Sequence, residues 1–150
     1  MARPQIFVLD ASVAVKWYVE EELREQALVL RQDFYEGRLF LLSQALLLYE
    51  VANALRYHPG LSPEDVVASM RSLQDMQLDI VAPGESQVET AVKTAFEENI
   101  SMYDAMYLAL ADVTGSRLLT ADESLYDNLS KERKRLVLLL RDYGKARTNI

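Results

Sequence analysis

Five short, largely apolar runs alternate with amphipathic segments along the chain, and this alternation restricts the folds open to it. Each run is bounded by polar or turn-forming residues, which is typical of a buried strand. The predicted strands cover residues 6–9, 39–42, 79–82, 117–120 and 136–140. Short strands that alternate with amphipathic helices favour a parallel sheet packed between helices on both faces. We therefore expect an α/β fold, a three-layer α/β/α sandwich with a central parallel sheet.

Helix start and end signals occupy the segments between these strands. Ser62 is followed by proline and two acids, the expected order at a helix start, and Ser43 is a candidate cap for the next helix after the second strand. Gly37, Asn99 and Gly115 stand where three other amphipathic patterns stop, which predicts helix ends there. The predicted apolar faces of the helices in residues 63–76 and 86–99 consist of Val66, Val67, Met70, Leu73, Met76, Val88, Ala91, Val92, Ala95 and Phe96.

The composition limits the class of protein. With 150 residues, half of them hydrophobic, the chain has the size and composition of one compact domain, residues 1–150. The absence of cysteine excludes disulfides and thiolate chemistry, and a single His58 argues against a histidine-rich zinc site. No segment approaches the roughly 20 apolar residues of a membrane span, so a cytoplasmic location is expected. The net charge of −7 counts against nonspecific nucleic-acid binding.

Glu50 is the most informative single residue, because it lies in the middle of a leucine-rich run with helical character. Its neighbours three and four positions away are leucine, asparagine and alanine, so no basic residue on that helix face can neutralise it. A buried carboxylate normally pairs with a cation, becomes protonated or binds a metal, because an uncompensated buried charge is costly. Glu50 is therefore a candidate site residue, although an exposed position on the helix would also explain it.

Three other acids, Asp10, Asp104 and Asp122, each stand next to an apolar segment. Ligands of parallel α/β sheets bind beyond the carboxyl ends of the strands, where Asp10 and Asp122 are expected to lie. Each of the three also has a plain structural explanation as a helix cap or as part of a capping box. If all four acids gather, their hard oxygen ligands suit Mg²⁺ or Mn²⁺, which most often support phosphoryl transfer or phosphodiester hydrolysis.

Aromatic and basic residues give weaker signals. Five aromatic side chains are candidates for stacking on unpaired bases near such a site, although at helical spacing core packing is commoner: Trp17, Tyr18, Tyr49, Tyr103 and Tyr107. The basic run at residues 131–135 is interpreted as a solvated helix end.

Four fragments of the chain, in this order and spacing, resemble the PIN-domain family of ribonucleases, and in particular its VapC-like toxins. The fragments are VLDASV at 8–13, LYEVANAL at 48–55, YDAMYLALA at 103–111 and LLTAD at 118–122. The resemblance extends from the first strand to about residue 141. It implies a PIN-like sandwich around a five-stranded parallel sheet.

The resemblance also implies an activity and assigns roles to residues. It implies a Mg²⁺- or Mn²⁺-dependent endoribonuclease that hydrolyses single-stranded RNA, with Asp10, Glu50, Asp104 and Asp122 as catalytic residues and metal ligands. Ser12 and Thr120 would hold a carboxylate or a metal-bound water, and Asn53, one helical turn past Glu50, could face the same pocket. As implied partners, the resemblance suggests a homodimer and a small antitoxin with a basic tail.

Other functions remain open at this stage. A PIN nuclease of RNA maturation, or an inert PIN-like protein-binding scaffold, would have much the same sequence. Phosphotransferases of the haloacid-dehalogenase or receiver type also place an aspartate after their first strand. The former has a second aspartate two residues on, where this chain has Ser12, and the acid pair and late lysine of the latter are not evident. A covalent phosphate on Asp10 would identify a phosphotransferase.

Overall fold

The computed structural model describes residues 4–144, and its centre is a parallel sheet of five strands in the described part of the chain. The strands are β1 (Gln5–Leu9), β2 (Leu39–Gln44), β3 (Asp79–Val81), β4 (Arg117–Thr120) and β5 (Val137–Leu139). Their order across the sheet is β3-β2-β1-β4-β5, and every neighbouring pair is parallel. All five predicted strands are confirmed, with ends shifted by at most two residues.

Helices cover both faces of the sheet. They are α1 (Ala11–Ala14), α2 (Arg24–Tyr35), α3 (Leu46–Arg56), α4 (Pro63–Asp75), α5 (Glu85–Glu98), α6 (Met102–Val113), α7 (Glu123–Asn128) and α8 (Lys131–Lys134), with 3-10 turns at Val15–Trp17 and Leu140–Asp142. Within residues 4–144, no helix has the length and apolar character needed to cross a membrane.

Consecutive strand residues pack on opposite faces of the sheet, which produces the three layers. Phe7 and Leu9 of β1 belong to a core formed with α1 to α4, whereas Val8 between them belongs to a second core formed mainly with α6 and α7. Leu118 and Leu119 of β4 divide between the two cores in the same way. Where both faces are buried, as at residues 7–9 and 118–119, the strands are apolar at successive positions rather than at alternate ones, whereas Ile6, Phe40 and Ile80 are exposed. The predicted three-layer sandwich is confirmed.

The predicted helix ends are confirmed by their backbone geometry. Ser62 caps α4 in a complete capping box with Asp65. Gly37, Asn99 and Gly115 have φ angles of 73°, 53° and 64°, the left-handed conformation that follows the end of many helices.

Three predictions were wrong, one about a helix cap and two about the buried faces of helices. Ser43 does not cap α3: it lies within β2, and its hydroxyl donates to the carbonyl oxygen of Leu9 at 2.8 Å, because the strand continues two residues beyond its apolar run. Val67 on α4 is exposed. On α5, Ala91 and Ala95 are buried against α6, whereas the exposed residues of the same predicted face are Val88, Val92 and Phe96. Close approach of α5 and α6 through alanines leaves the larger side chains outside.

The order of the strands places a crevice between β1 and β4. The chain moves from β1 through β2 to β3 at one edge and then returns to β4 on the other side of β1, so the strand order reverses there. Leu9 pairs with Leu119, and the amide of Asp10 donates to the Leu119 carbonyl at 3.1 Å. The residues that directly follow β1 and β4 are therefore neighbours at the carboxyl end of the sheet.

Candidate active site

Asp10 is the first residue after β1, and two hydroxyl groups hold its carboxylate. Its Oδ2 accepts hydrogen bonds from Ser12 Oγ at 2.6 Å and from Thr120 Oγ1 at 2.7 Å. Asp10 occupies the N-cap position of α1, but its side chain makes no capping bond to that helix. The structural explanation as a cap is therefore wrong for this residue: its carboxylate faces the end of β4 instead.

The same two hydroxyls join the loops that follow β1 and β4. Ser12 Oγ accepts from the amide of Ala121 at 2.9 Å, and Thr120 Oγ1 accepts from the amide of Asp122 at 3.1 Å. The two oxygens lie 3.2 Å apart. Thr120 is fully buried, so this network fixes Asp10 and the backbone of Asp122 relative to each other without help from solvent. Ser12 and Thr120 therefore both contact the Asp10 carboxylate, while the roles predicted for them at a metal site stay predictions.

Asp122 begins α7. Its Oδ1 accepts from the amide of Leu125 at 3.0 Å, which is an ordinary N-cap bond. The structural explanation is thus correct for one oxygen of this residue. The bond also fixes the direction of the carboxylate, which lines two cavities at the carboxyl end of the sheet.

Glu50 is half-buried on α3, and one of its oxygens lacks a compensating partner. Among the described residues, Glu50 Oε1 and the hydroxyl of Tyr107 are both buried and neither makes a hydrogen bond of ordinary geometry. The hydroxyl nevertheless lies near enough to the carboxylate to favour its charged form. Because a buried oxygen without a partner is costly, this carboxylate is suited to accept a ligand.

Asp104 lies in the first turn of α6, which Ser101 caps by accepting from the Asp104 amide at 3.1 Å. Its half-buried carboxyl lies opposite those of Asp10 and Asp122. The cap therefore uses the backbone of Asp104 and fixes the first turn, from which the side chain faces the other acids.

The four acids interact electrostatically, and we refer to Asp10, Glu50, Asp104 and Asp122 as the acidic cluster. Burial raises the pKa of Asp10, the bonds from Ser12 and Thr120 partly offset this, and the charge of Asp122 raises it further. Burial also raises the pKa values of Glu50 and Asp104, and the charge of Asp10 adds to the effect in both. Asp10 and Asp104 each interact electrostatically with the three other members of the cluster.

Three open cavities meet around the acidic cluster. A cavity of about 430 Å³ beside α1 is lined by Glu50 and Asp122, one of about 610 Å³ beside α3 by Glu50 and Asp104, and one of about 450 Å³ beside α7 by Asp104 and Asp122. We call them the α1, α3 and α7 cavities. Each pair of these three acids shares a cavity, and Asp10 is not among the residues that line the three.

The donor set suits a divalent cation, but it is not preassembled. Within residues 4–144, no three or more His, Cys, Asp or Glu side chains lie in an arrangement that could hold a metal ion as it stands. Burial, and after it the neighbouring carboxylates, raise the pKa values of Asp10 and Asp104, so a closer approach of these charges without a cation would be costly. The carboxylate oxygens of the cluster, among them the unpartnered Glu50 Oε1, are the type of ligand that Mg²⁺ and Mn²⁺ prefer.

The other residues predicted near the site differ in their exposure and in whether they line a cavity. Asn53 is exposed and lines the α3 cavity with Glu50, and its role at the site stays a prediction. Tyr49 and Tyr103 are exposed at the same cavity, whereas Tyr107 is buried and unable to stack on a base. Sequence reasoning did not single out Lys16, which is buried and lines the α1 cavity. The available signal was a lysine among the apolar residues of segment 13–19.

The sheet order and the acidic cluster define the class of protein. A family model described as PIN domain matches residues 7–130. The chain therefore belongs to the PIN-domain family. A relative, Ribonuclease VapC3 of Pyrobaculum aerophilum, is 36% identical over 122 residues, which cover 79% of this chain and 90% of the relative.

Three solved structures share the fold, each with a TM-score of 0.64. They are PAE2754 from Pyrobaculum aerophilum, at 21% identity over 93% of this chain and 92% of that one, and a toxin-antitoxin complex from Klebsiella pneumoniae, at 15% identity over 89% and 97%. The third is VapBC2 from Rickettsia felis bound to a DNA fragment from their promoter, at 14% identity over 90% of this chain and 97% of that one.

Proposed function

We propose that this protein is a divalent-metal-dependent endoribonuclease that hydrolyses phosphodiester bonds of single-stranded RNA. The observation that carries the proposal is the gathering of the four carboxylates of the acidic cluster at the switch point of the sheet. The 36% identical relative, named as a ribonuclease, supports the activity. PIN-domain ribonucleases generally use divalent metals, which supports the need for an ion.

In this proposal Asp10, Glu50 and Asp104 hold the ion directly, and Asp122 holds a metal-bound water or a second ion. When bound, Mg²⁺ or Mn²⁺ supplies an activated water and stabilises the leaving oxygen. Ser12 and Thr120 keep the Asp10 carboxylate oriented through their hydrogen bonds. No side chain has to act as a covalent nucleophile.

Cleavage of a labelled single-stranded RNA, with Mg²⁺ or with EDTA, tests the proposal. Asp10→Asn and Asp104→Asn keep the shape of the side chain and remove its charge, so we expect each to abolish cleavage while circular dichroism stays unchanged. Asp112→Asn is the matched control, because Asp112 is exposed on the same helix as Asp104. Cleavage that persists in EDTA, or in either variant of the acidic cluster, would contradict the proposal. A folded wild type that neither binds the metal nor cleaves RNA would favour the protein-binding scaffold.

We further propose that the protein is the toxin of a type II toxin-antitoxin pair and binds a small antitoxin. The similarity to Ribonuclease VapC3 and to two solved structures, a toxin-antitoxin complex and VapBC2, supports this role. A basic inhibitor tail is complementary to the acidic cluster. Expression of the chain alone and together with the product of the adjacent open reading frame tests the proposal: we expect growth arrest only in the first case. Equal growth would favour a nuclease of RNA maturation.

A homodimer is a further part of this proposal. Val88, Val92 and Phe96 recur every four residues on α5, and Phe96 is 84% exposed, which is unusual for a large apolar side chain at a surface that stays in water. Light scattering of the wild type and of Phe96→Asp tests it, with a dimer expected for the first and a monomer for the second. The single domain and the cytoplasmic location stay predictions from the sequence.

A further inference from the structure

Lys16 is a buried lysine at the edge of the acidic cluster. Only 11% of its side chain is exposed, and it lines the α1 cavity together with Glu50 and Asp122. Among the described residues that line the α1, α3 and α7 cavities, it is the one with a cationic side chain. A buried ammonium group is costly unless a partner compensates it, so its position beside the acids requires an explanation.

The partner of Lys16 is a single exposed carboxylate on an irregular segment. Lys16 Nζ donates to Glu21 Oε1 at 2.9 Å, and 40% of the Glu21 side chain is exposed. Glu21 lies between the 3-10 turn and α2, outside any helix or strand. An ammonium group has three donors, and this bond accounts for one of them. Because Glu21 is exposed and on a loop, it can move into water at a small cost.

The backbone of Lys16, in contrast, is firmly held. Its carbonyl oxygen accepts from Arg24 Nε at 3.2 Å, and the indole of the next residue, Trp17, donates to the carbonyl oxygen of Ala27 at 2.7 Å. Both contacts join this turn to α2. The base of the lysine side chain is therefore fixed, while its charged end meets a partner that can be exchanged.

We propose that Lys16 binds a phosphate of the RNA strand next to the bond that is cut, and that Glu21 occupies this phosphate position in the free protein. This inference rests on the proposed function, since it assumes a polyanionic substrate in the α1 cavity. The acidic cluster repels such a strand, and one cation at the cavity edge offsets part of that repulsion. A phosphate oxygen replaces the Glu21 carboxylate on the same ammonium group, so the lysine is never left without a partner.

Binding of fluorescein-labelled single-stranded oligouridylate, measured by fluorescence anisotropy in EDTA, tests the inference without interference from cleavage. Lys16→Met keeps an apolar stem and removes the charge. We expect its affinity to fall about tenfold at low salt, as the loss of a charged hydrogen bond would produce. The slope of log K against log salt should decrease by about 0.7, the value for one phosphate contact on a single strand. Lys16→Arg should restore most of both quantities.

Glu21→Gln gives a prediction of the opposite sign. If Glu21 competes with RNA phosphate, its neutralisation should tighten binding several-fold, whereas a purely structural ion pair predicts no gain. Lys93 and Glu89 form an exposed pair on α5 at 3.0 Å and provide controls of identical charge change, Lys93→Met and Glu89→Gln. Melting temperatures establish that each variant is folded before binding is compared.

The binding and cleavage results distinguish failure of the inference about Lys16 from failure of the proposed function. The inference would be overturned if the slope of log K against log salt were the same for Lys16→Met as for Lys93→Met. It would also be overturned if Glu21→Gln bound the oligonucleotide no more tightly than Glu89→Gln does. The proposed function fails separately, if the wild type binds the oligonucleotide but does not cleave RNA in Mg²⁺. A wild type that neither binds nor cleaves RNA rejects both.

Discussion

The hydroxyl of Thr120 has two partners, and its removal gives the sharpest test of how the acidic cluster is held together. It donates to Asp10 Oδ2 at 2.7 Å and accepts from the Asp122 amide at 3.1 Å. Thr120→Val keeps the shape of this fully buried side chain and deletes both bonds. Ser12 remains as the other hydroxyl donor to Asp10.

The magnitude follows from the two bonds. A hydrogen bond to a charged group contributes about 1.5–3 kcal/mol and a neutral one about 1 kcal/mol. We therefore expect Thr120→Val to lower the free energy of unfolding by about 3 kcal/mol at a pH where Asp10 is ionised, or the melting temperature by roughly 6–12 °C. At a pH low enough to protonate Asp10 in the folded protein, the charged bond becomes a neutral one, so two neutral bonds remain and the deficit should fall to about 2 kcal/mol.

The sign of the pH dependence follows from the pKa of Asp10. Burial raises this pKa and the Thr120 bond lowers it, so the substitution raises it further above its unfolded value. The folded variant then binds a proton more readily than the folded wild type, and its stability relative to the wild type increases as the pH falls through the pKa of Asp10 in the variant.

Urea unfolding across a pH series measures the effect, with Thr94→Val as the matched control. Thr94 is also buried, but its hydroxyl donates to the backbone carbonyl oxygen of Thr90 at 2.8 Å. We expect its replacement to cost about 1 kcal/mol or less at every pH. If the deficit of Thr120→Val were as small as that of Thr94→Val, or did not change with pH, the proposed restraint of a charged Asp10 would be refuted.

Two further substitutions test other buried groups. In EDTA, Glu50→Gln should raise the free energy of unfolding at neutral pH by about 1 kcal/mol or less after solvent screening, because the folded state raises the pKa of this carboxyl. The gain should vanish at a pH below both the folded and the unfolded pKa of Glu50. A gain in stability that persists in acid would contradict this reasoning. Tyr143→Phe removes a 2.6 Å bond from the Tyr143 hydroxyl to the buried Asp33 and should cost about 1.5–3 kcal/mol in urea unfolding; a change below about 0.5 kcal/mol would show that the bond contributes little.

Local signals explain why the strands and most helix ends were predictable. A strand buried on both faces is a continuous apolar run, and a capping residue such as Ser62 or a left-handed position such as Asn99 acts within one helical turn. The packed face of α5 was not predictable in this way. Its alanines and its larger apolar residues follow the same helical period, and only the close approach of α6 decides which of them are buried.

The site shows the same division between local and distant information. Asp10 and Asp122 follow from their places after β1 and β4, because parallel strands end at one edge of the sheet. The contact between Asp10 and Thr120, 110 positions apart, depends on the pairing of β1 with β4, and it was inferred from family resemblance. The pair of Lys16 and Glu21 depends on the path of an irregular segment, which no periodic pattern specifies.

In the proposed function the members of the acidic cluster bind a divalent cation together. Titration calorimetry with Mn²⁺ on the wild type, Asp104→Asn and Asp112→Asn measures this binding. We predict saturable binding to the wild type, unchanged binding to the Asp112 variant, and binding at least about tenfold weaker for the Asp104 variant. Absence of binding at millimolar Mn²⁺, or equal affinities for the wild type and the Asp104 variant, would contradict the claim.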